Sequence, residues 1–174
     1  KTSTSMRLGP EENQPLETEC LFGENIEIID EKSDWYFCKL LTDNYIGWVK
    51  KDSVGFLPKP THRILSSRAF IYKDYNIKSN CIYYLPMGSK IKVKHIKDDW
   101  AKIFLSDKVE KKFGYVMISN LIKINDKVSD WVSSAEQLIE TPYRWGGRDT
   151  IGIDCSALLQ LAYQTYGENI PRNT

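Results

Sequence analysis

Histidine is almost missing from this sequence: His62 and His95 are the only two among 174 residues. Chemistry that needs an imidazole base therefore has very few candidates here. Cysteine is also sparse. The four residues, Cys20, Cys38, Cys81 and Cys155, fit no zinc pattern, which would show closely spaced pairs. No metal and no cofactor is expected. Net charge is nearly zero, +1 from 24 basic and 23 acidic side chains, so nothing draws the chain to nucleic acid or to an anionic membrane. No apolar run approaches the roughly 18 residues of a membrane span. No basic-then-apolar leader opens the chain. It begins at Lys1 rather than methionine and so reads as processed or as a fragment. What remains is 41% hydrophobic and 27% charged, the balance of a soluble protein long enough for two or three small domains. A chain of this size builds cores without disulfides. Cys20, Cys38 and Cys81, each with apolar neighbours, read as buried thiols.

The first 125 residues contain a repeat. LFGENIEIIDEKSDWYFCKL, from Leu21, parallels LPMGSKIKVKHIKDDWAKIFL, from Leu85. Gly23 and Gly88 stand 65 residues apart, as do Trp35 and Trp100, and Gly47 and Gly114 stand 67 apart. Such similarity indicates two copies of one domain. Within each copy, Ile26 and Ile28, or Ile91 and Val93, alternate with polar neighbours, the pattern of a half-buried strand. An Asp-Trp pair opens the next strand, and Gly-Trp-Val or Gly-Tyr-Val makes a third. Short strands, a buried-type Trp and a glycine before an aromatic suggest a small β barrel. The pattern resembles bacterial SH3-like (SH3b) domains over residues 1–58 and 62–125, with LPKPTH as a stiff linker.

After Asn125 the periodicity changes. Val128, Trp131, Ala135, Leu138 and Ile139 recur at helical spacing and predict an amphipathic helix of about a dozen residues. TPYRWGGRD breaks it, and SALLQLAYQTY resumes helical spacing up to Gly167, a good helix C-terminal residue. Cys155 falls in the first turn of this second helix, with Asp154 or a neighbour as cap. Helix N-terminal N–H groups and the helix dipole favour a thiolate there. Gly146, Gly147 and Gly152 leave room for a bound peptide backbone. A phosphate loop at WGGRDTIG is a weak alternative, because it lacks the Gly-Lys-Ser/Thr ending and a preceding strand.

The string PYRWGGRDTIGIDCSALLQLAY…GENIPRNT resembles the cysteine motif of NlpC-family, papain-like cell-wall peptidases. Pro142-Tyr143, Trp145-Gly146-Gly147, Gly152, Asp154-Cys155-Ser156 and Pro171-Arg172 carry the likeness, and Ala157 departs from the usual glycine. The resemblance implies a fold that is mainly β at its start, with two SH3-like barrels. The helical N-terminal portion of an α+β papain-like domain follows over 126–174. With two such barrels in front, the chain is similar to γ-D-glutamyl-L-diamino-acid endopeptidases. That likeness implies Cys155 as nucleophile and a peptidoglycan stem peptide with a free N-terminal L-Ala as substrate, the diamino acid being lysine or diaminopimelate. It implies Asp154, Ser156, Tyr45, Arg172 and Thr174 as pocket residues, Asp154 facing the substrate ammonium. Arg172 has an equal second reading, pairing with a helix-end carboxylate. One acidic residue among Glu11, Glu12, Glu17 and Glu19 assists.

The family's catalytic histidine lies on strands after the cysteine helix, a position that neither His62 nor His95 matches. The resemblance therefore implies the N-terminal part of a longer enzyme, inactive alone. The helix faces bearing Trp131, Leu138, Leu158 and Leu161 should then lack their cover and favour association. The rival reading is a non-catalytic binder of cell-wall peptides. Reduced thiols lean the expected location toward the bacterial cytoplasm rather than the periplasm.

Overall fold

The computed structural model describes residues 2–106 and 112–172, so Thr174 lies outside the described residues. The first β unit contains β1 (Ser3–Arg7), β2 (Leu16–Leu21), β3 (Ile26–Lys32), β4 (Trp35–Leu40) and β5 (Ile46–Lys50). They form an antiparallel sheet of order β2-β1-β5-β4-β3. The second unit contains β6 (His62–Ile64), β7 (Arg68–Tyr72), β8 (Cys81–Pro86), β9 (Lys90–Lys97), β10 (Trp100–Phe104), β11 (Phe113–Met117) and β12 (Leu121–Lys123). Its order is β12-β6-β9-β10-β11-β7-β8. A third segment carries α1 (Val132–Glu136), the two-stranded hairpin β13 (Arg148–Asp149) and β14 (Gly152–Ile153), and α2 (Cys155–Tyr166).

The two β units repeat the same local devices. Trp35 pairs with Lys32 and Trp100 with Lys97 across hairpins whose turns carry Ser33 (φ 49°) and Asp98 (φ 50°). Cys38 faces Gly47 across β4–β5, and Ile103 faces Gly114 across β10–β11. Alternation works differently in the two copies. In β9, Ile91 is buried and Val93 packs on the core. In β3, Ile28 stays half exposed, because β3 is a sheet edge and its register breaks between Ile28 and Asp30.

Each unit has its own core. Met6, Cys20, Cys38, Leu40 and Val49 fill the first, and a larger set around Ile71, Leu85, Ile91, Ile103 and Val116 fills the second. A third core joins all three segments. Leu21 from the first unit and Met87 from the second meet Leu138, Ile153, Ala157 and Leu161. Burying each large side chain contributes about 1.5–3 kcal/mol, so this junction ties the third segment to both units. The units themselves meet at Gly23, where Lys90 N–H donates to the Phe22 carbonyl at 2.8 Å. Gly23 has φ 77°, and an added Cβ would overlap the Lys90 carbonyl oxygen. Only glycine allows both the turn and that approach.

Three expectations need correction. The helix expected over residues 128–139 is only the five residues of α1. Asp130 starts it by accepting from Val132 N–H, and single turns follow until Glu140 (φ 66°) reverses the chain ahead of Thr141-Pro142. Cys81 is exposed rather than buried, since it opens edge strand β8, where its thiol donates to the Tyr83 carbonyl at 3.4 Å. Leu138 and Leu161 do not form a bare face, because Leu21 and Met87 cover them. Trp131 stacks on Tyr163 at 4.7 Å. Among the described residues, no helix is long and apolar enough to cross a membrane.

Candidate active site

Asp154 is the N-cap of α2. Its Oδ1 accepts from Ala157 N–H at 2.8 Å and from the Ser156 hydroxyl at 3.1 Å. Its Oδ2 accepts from Gly146 N–H at 2.9 Å and from Arg172 Nη2 at 2.5 Å. A carboxylate offers about four acceptor positions, and all four are used. Aspartate is a favoured cap because it satisfies the orphan N–H groups of the first turn. The helix ends at Gly167 (φ 91°), whose N–H bonds the Gln164 carbonyl, while Glu168 N–H bonds that of Tyr163. Cys155, the first residue of α2, is exposed beside this filled carboxylate.

Gly146 makes the cap possible. At φ 74° its N–H turns to Asp154, and a Cβ there would fall 2.7 Å from Leu16 Cγ of the first unit. The loop therefore presses directly on β2. Arg172 and Asp154 are both nearly inaccessible. The pairing reading of Arg172 thus describes its contact: it neutralises the cap. Sequence spacing offers no signal for that choice, since Arg172 returns from beyond the helix.

The first unit sends a second group of side chains to the same helix. The Tyr45 hydroxyl donates to Glu17 Oε2 at 2.7 Å. Tyr45 N–H donates to Asp43 Oδ1 at 3.0 Å, and Gln160 Nε2 of α2 donates to Asp43 Oδ2 at 3.0 Å. Asp43 thus bridges the Tyr45 turn to the cysteine helix. Of the four acidic candidates, Glu17 touches Tyr45. Glu19 instead accepts from Arg144 Nη1 and from Arg148 N–H, each at 2.9 Å. Glu12 is exposed, lies near Arg7 and pairs with Lys50.

Sequence reading missed Arg148. It is fully buried and bidentate to Glu24 at 2.7 and 3.0 Å, and it also donates to the Glu19 carbonyl at 2.8 Å. Burial opposes the Glu24 charge, yet Arg148's charge and hydrogen bonds bring its pKa below the ordinary carboxylate value. Asp43 and Gln160 were missed too. The available signal was a glutamate straight after the Gly23 turn and an arginine straight after the Gly146-Gly147 turn, both unusual in a core.

The histidines belong to the second β unit. His62 pairs within β6 and bonds Thr61 at 3.0 Å; burial and Lys123 lower its pKa. His95 pairs with Lys102 in β9–β10. Burial pushes the Cys38 thiol up to about 11 and raises Cys20 well above its ordinary value. Among the described residues, no three His, Cys, Asp or Glu side chains gather as a metal site. A cavity of about 780 Å³ opens between the two β units, and among the described residues none of the site candidates lines it.

Comparison with known proteins falls on the same segments. Residues 6–54 match the bacterial dipeptidyl-peptidase Sh3 domain, and residues 140–174 match the NlpC/P60 family. Dipeptidyl-peptidase 6 of Lysinibacillus sphaericus is 27% identical over 94% of this chain. Gamma-D-glutamyl-L-lysine dipeptidyl-peptidase of Bacillus subtilis is 25% identical over 96% of it, and the Bacillus cereus protein of that name is 22% identical over 91%. The chain spans 67%, 59% and 53% of those three proteins. The crystal structure of a NlpC/P60 family protein from Bacillus cereus shares the fold, with a TM-score of 0.82 at 15% identity over 98% of this chain and 72% of that one. On one chain, then, a segment matching the bacterial dipeptidyl-peptidase Sh3 domain precedes a segment matching the NlpC/P60 family, in the fold of a NlpC/P60 family protein.

Proposed function

We propose that this chain is the nucleophile-bearing part of a cysteine peptidase that cleaves γ-D-glutamyl-L-diamino-acid bonds in peptidoglycan stem peptides. The observation that carries the reading is Cys155, exposed as the first residue of a helix whose cap is held by four donors. In this reading the Cys155 thiolate attacks the γ-amide carbonyl. A C–S bond forms, the C–N bond breaks, and the leaving amine takes a proton. Water then cleaves the thioester, returning the thiol and releasing the carboxylate. The proton transfers need an imidazole, which this reading takes from a segment outside the 174 residues, since both histidines here pair within the second β unit.

In this reading the free L-Ala ammonium binds between the first β unit and the start of α2. Asp154 already balances Arg172, so Glu17 supplies the further negative charge. Its partner is the Tyr45 hydroxyl, and no Lys or Arg pairs with it among the described residues. Ser156 and Arg172 orient Asp154 in this reading. The second β unit is read as a second SH3-like copy. Exposed, unpaired Cys81 favours a reducing compartment, hence peptide recycling in the cytoplasm.

The test uses the full-length protein with L-Ala-γ-D-Glu-L-Lys. Cys155→Ala is expected to lower kcat by at least about a thousandfold, as loss of a covalent nucleophile does. Glu17→Gln is expected to raise KM for the free peptide and to leave the N-acetylated peptide, already a poor substrate, unchanged. Full turnover by Cys155→Ala would sink the reading.

A further inference from the structure

We propose that Glu19 and Tyr84 are positioning residues that clamp β13 from opposite sides and thereby hold the Cys155 helix start; the inference rests on Cys155 being the nucleophile. Along β2, Glu17, Glu19 and Leu21 share one face, because side chains alternate along a strand. Glu17 reaches Tyr45, Glu19 reaches Arg144 and Arg148, and Leu21 enters the core that contains Ala157 and Leu161. The opposite face, with Cys20, fills the first unit's own core. One strand of the first β unit therefore serves as a rail for the catalytic-type segment.

The second β unit does the same at the equivalent place. Tyr84 stands 65 residues after Glu19, the spacing that also relates Gly23 to Gly88 and Trp35 to Trp100. The Tyr84 hydroxyl donates to Asp149 Oδ2 at 2.8 Å, and Asp149 is the residue next to Arg148. Arg68 packs over the Tyr84 ring and donates to Thr150, closing the far end of the hairpin. Adjacent residues of β13 are thus gripped by equivalent positions of two β units.

The grip reaches the thiol through a short path. Glu19 fixes Arg144 and Arg148 on either side of Gly146, and Gly146 N–H is one of the four donors on Asp154. Asp154 N–H in turn donates to the Gly147 carbonyl at 3.2 Å. Releasing β13 would cost the Asp154 carboxylate one donor, Gly146 N–H, and the Asp154 N–H its acceptor, the Gly147 carbonyl. A less neutralised carboxylate beside Cys155 disfavours the thiolate.

The experiment is the alkylation rate of Cys155 by iodoacetamide against pH, site-resolved by mass spectrometry, in the full-length protein and in its Glu19→Gln and Tyr84→Phe variants. Exposed Cys81 serves as internal reference. Glu19→Gln is expected to slow Cys155 on the order of tenfold at pH 7, the size of one lost charge-assisted hydrogen bond, and to move its profile to higher pH. Tyr84→Phe keeps the ring and should slow Cys155 about threefold, the smaller effect of a single hydroxyl. Cys81 should not change. A lowered melting temperature with unchanged Cys155 rate and profile in both variants would make the two residues structural glue and overturn the clamp. If Cys155 in the parent chain reacts no faster than Cys81, the nucleophile reading fails first and the clamp with it. Should Glu19→Gln not fold, Tyr84→Phe decides alone.

Discussion

Glu24 in the first β unit and Ser89 in the second occupy equivalent turns, each one residue past the paired glycines Gly23 and Gly88. The side chains of both are buried, and they meet different fates. Glu24 lies under Arg148 in a fully enclosed, bidentate ion pair. Ser89 has a buried hydroxyl with no hydrogen-bond partner among the described residues. The same backbone device thus carries an ion pair to the third segment in one unit and, among the described residues, an unpartnered side-chain hydroxyl in the other. A repeat preserves backbone geometry, because turn and strand chemistry are local. Its side chains diverge according to what packs on them.

The largest expected effect breaks that contrast directly. Glu24→Gln leaves the Arg148 charge buried without its counter-ion and should cost about 3–5 kcal/mol, read from urea unfolding. Ser89→Ala removes only an unpartnered hydroxyl and should change stability by less than about 1 kcal/mol. Equal costs would mean that the ion pair is not the anchor.

Acid sharpens the same comparison. The Glu24 pKa is lowered in the folded chain, so its contribution is fully present above the unfolded value of 4.5 and is lost as pH falls through the folded value. The urea midpoint should therefore drop as the solution is acidified below about pH 4.5. In Glu24→Gln that part of the slope should vanish, while Ser89→Ala should retain it. An unchanged slope in Glu24→Gln would assign acid sensitivity to other carboxylates.

The thiols give the mildest contrast. Cys20 and Cys38 of the first unit are buried, and burial raises both pKa values, Cys38 to about 11. Cys81 of the second is exposed. Native-state labelling at pH 7 should modify Cys81 and spare Cys20 and Cys38 until the first unit unfolds. Labelling of Cys38 in folded protein would show that its core opens locally.

Much of this architecture is legible locally. Asp154 before an apolar helical run ending at Gly167 marks α2 from cap to stop, because both signals act within one or two turns. The glycine–tryptophan spacings mark equivalent hairpins for the same reason. Failures came where a segment's fate depended on distant partners. The periodicity of residues 128–139 suggested a longer helix, but Val128 N–H is taken by the Thr165 carbonyl and the helical run shrinks to α1. Apolar neighbours suggested a buried Cys81, but an edge strand exposes it.

The site divides along the same line. A cysteine at a capped helix start, its glycine-bearing loop and the strand periods around it follow from local rules, since backbone propensity and side-chain capping are short-range. That Arg172 neutralises Asp154, that Glu17 rather than its neighbours meets Tyr45, and that Arg148 is buried against Glu24 come from the packing of distant segments. Those pairings join residues 18, 28 and 124 positions apart. An ion pair or buried hydrogen bond is specified by where two chain segments come to rest. That position is set by the shared core of Leu21, Met87, Leu138 and Leu161, because packing, unlike capping, depends on every segment that contributes to it.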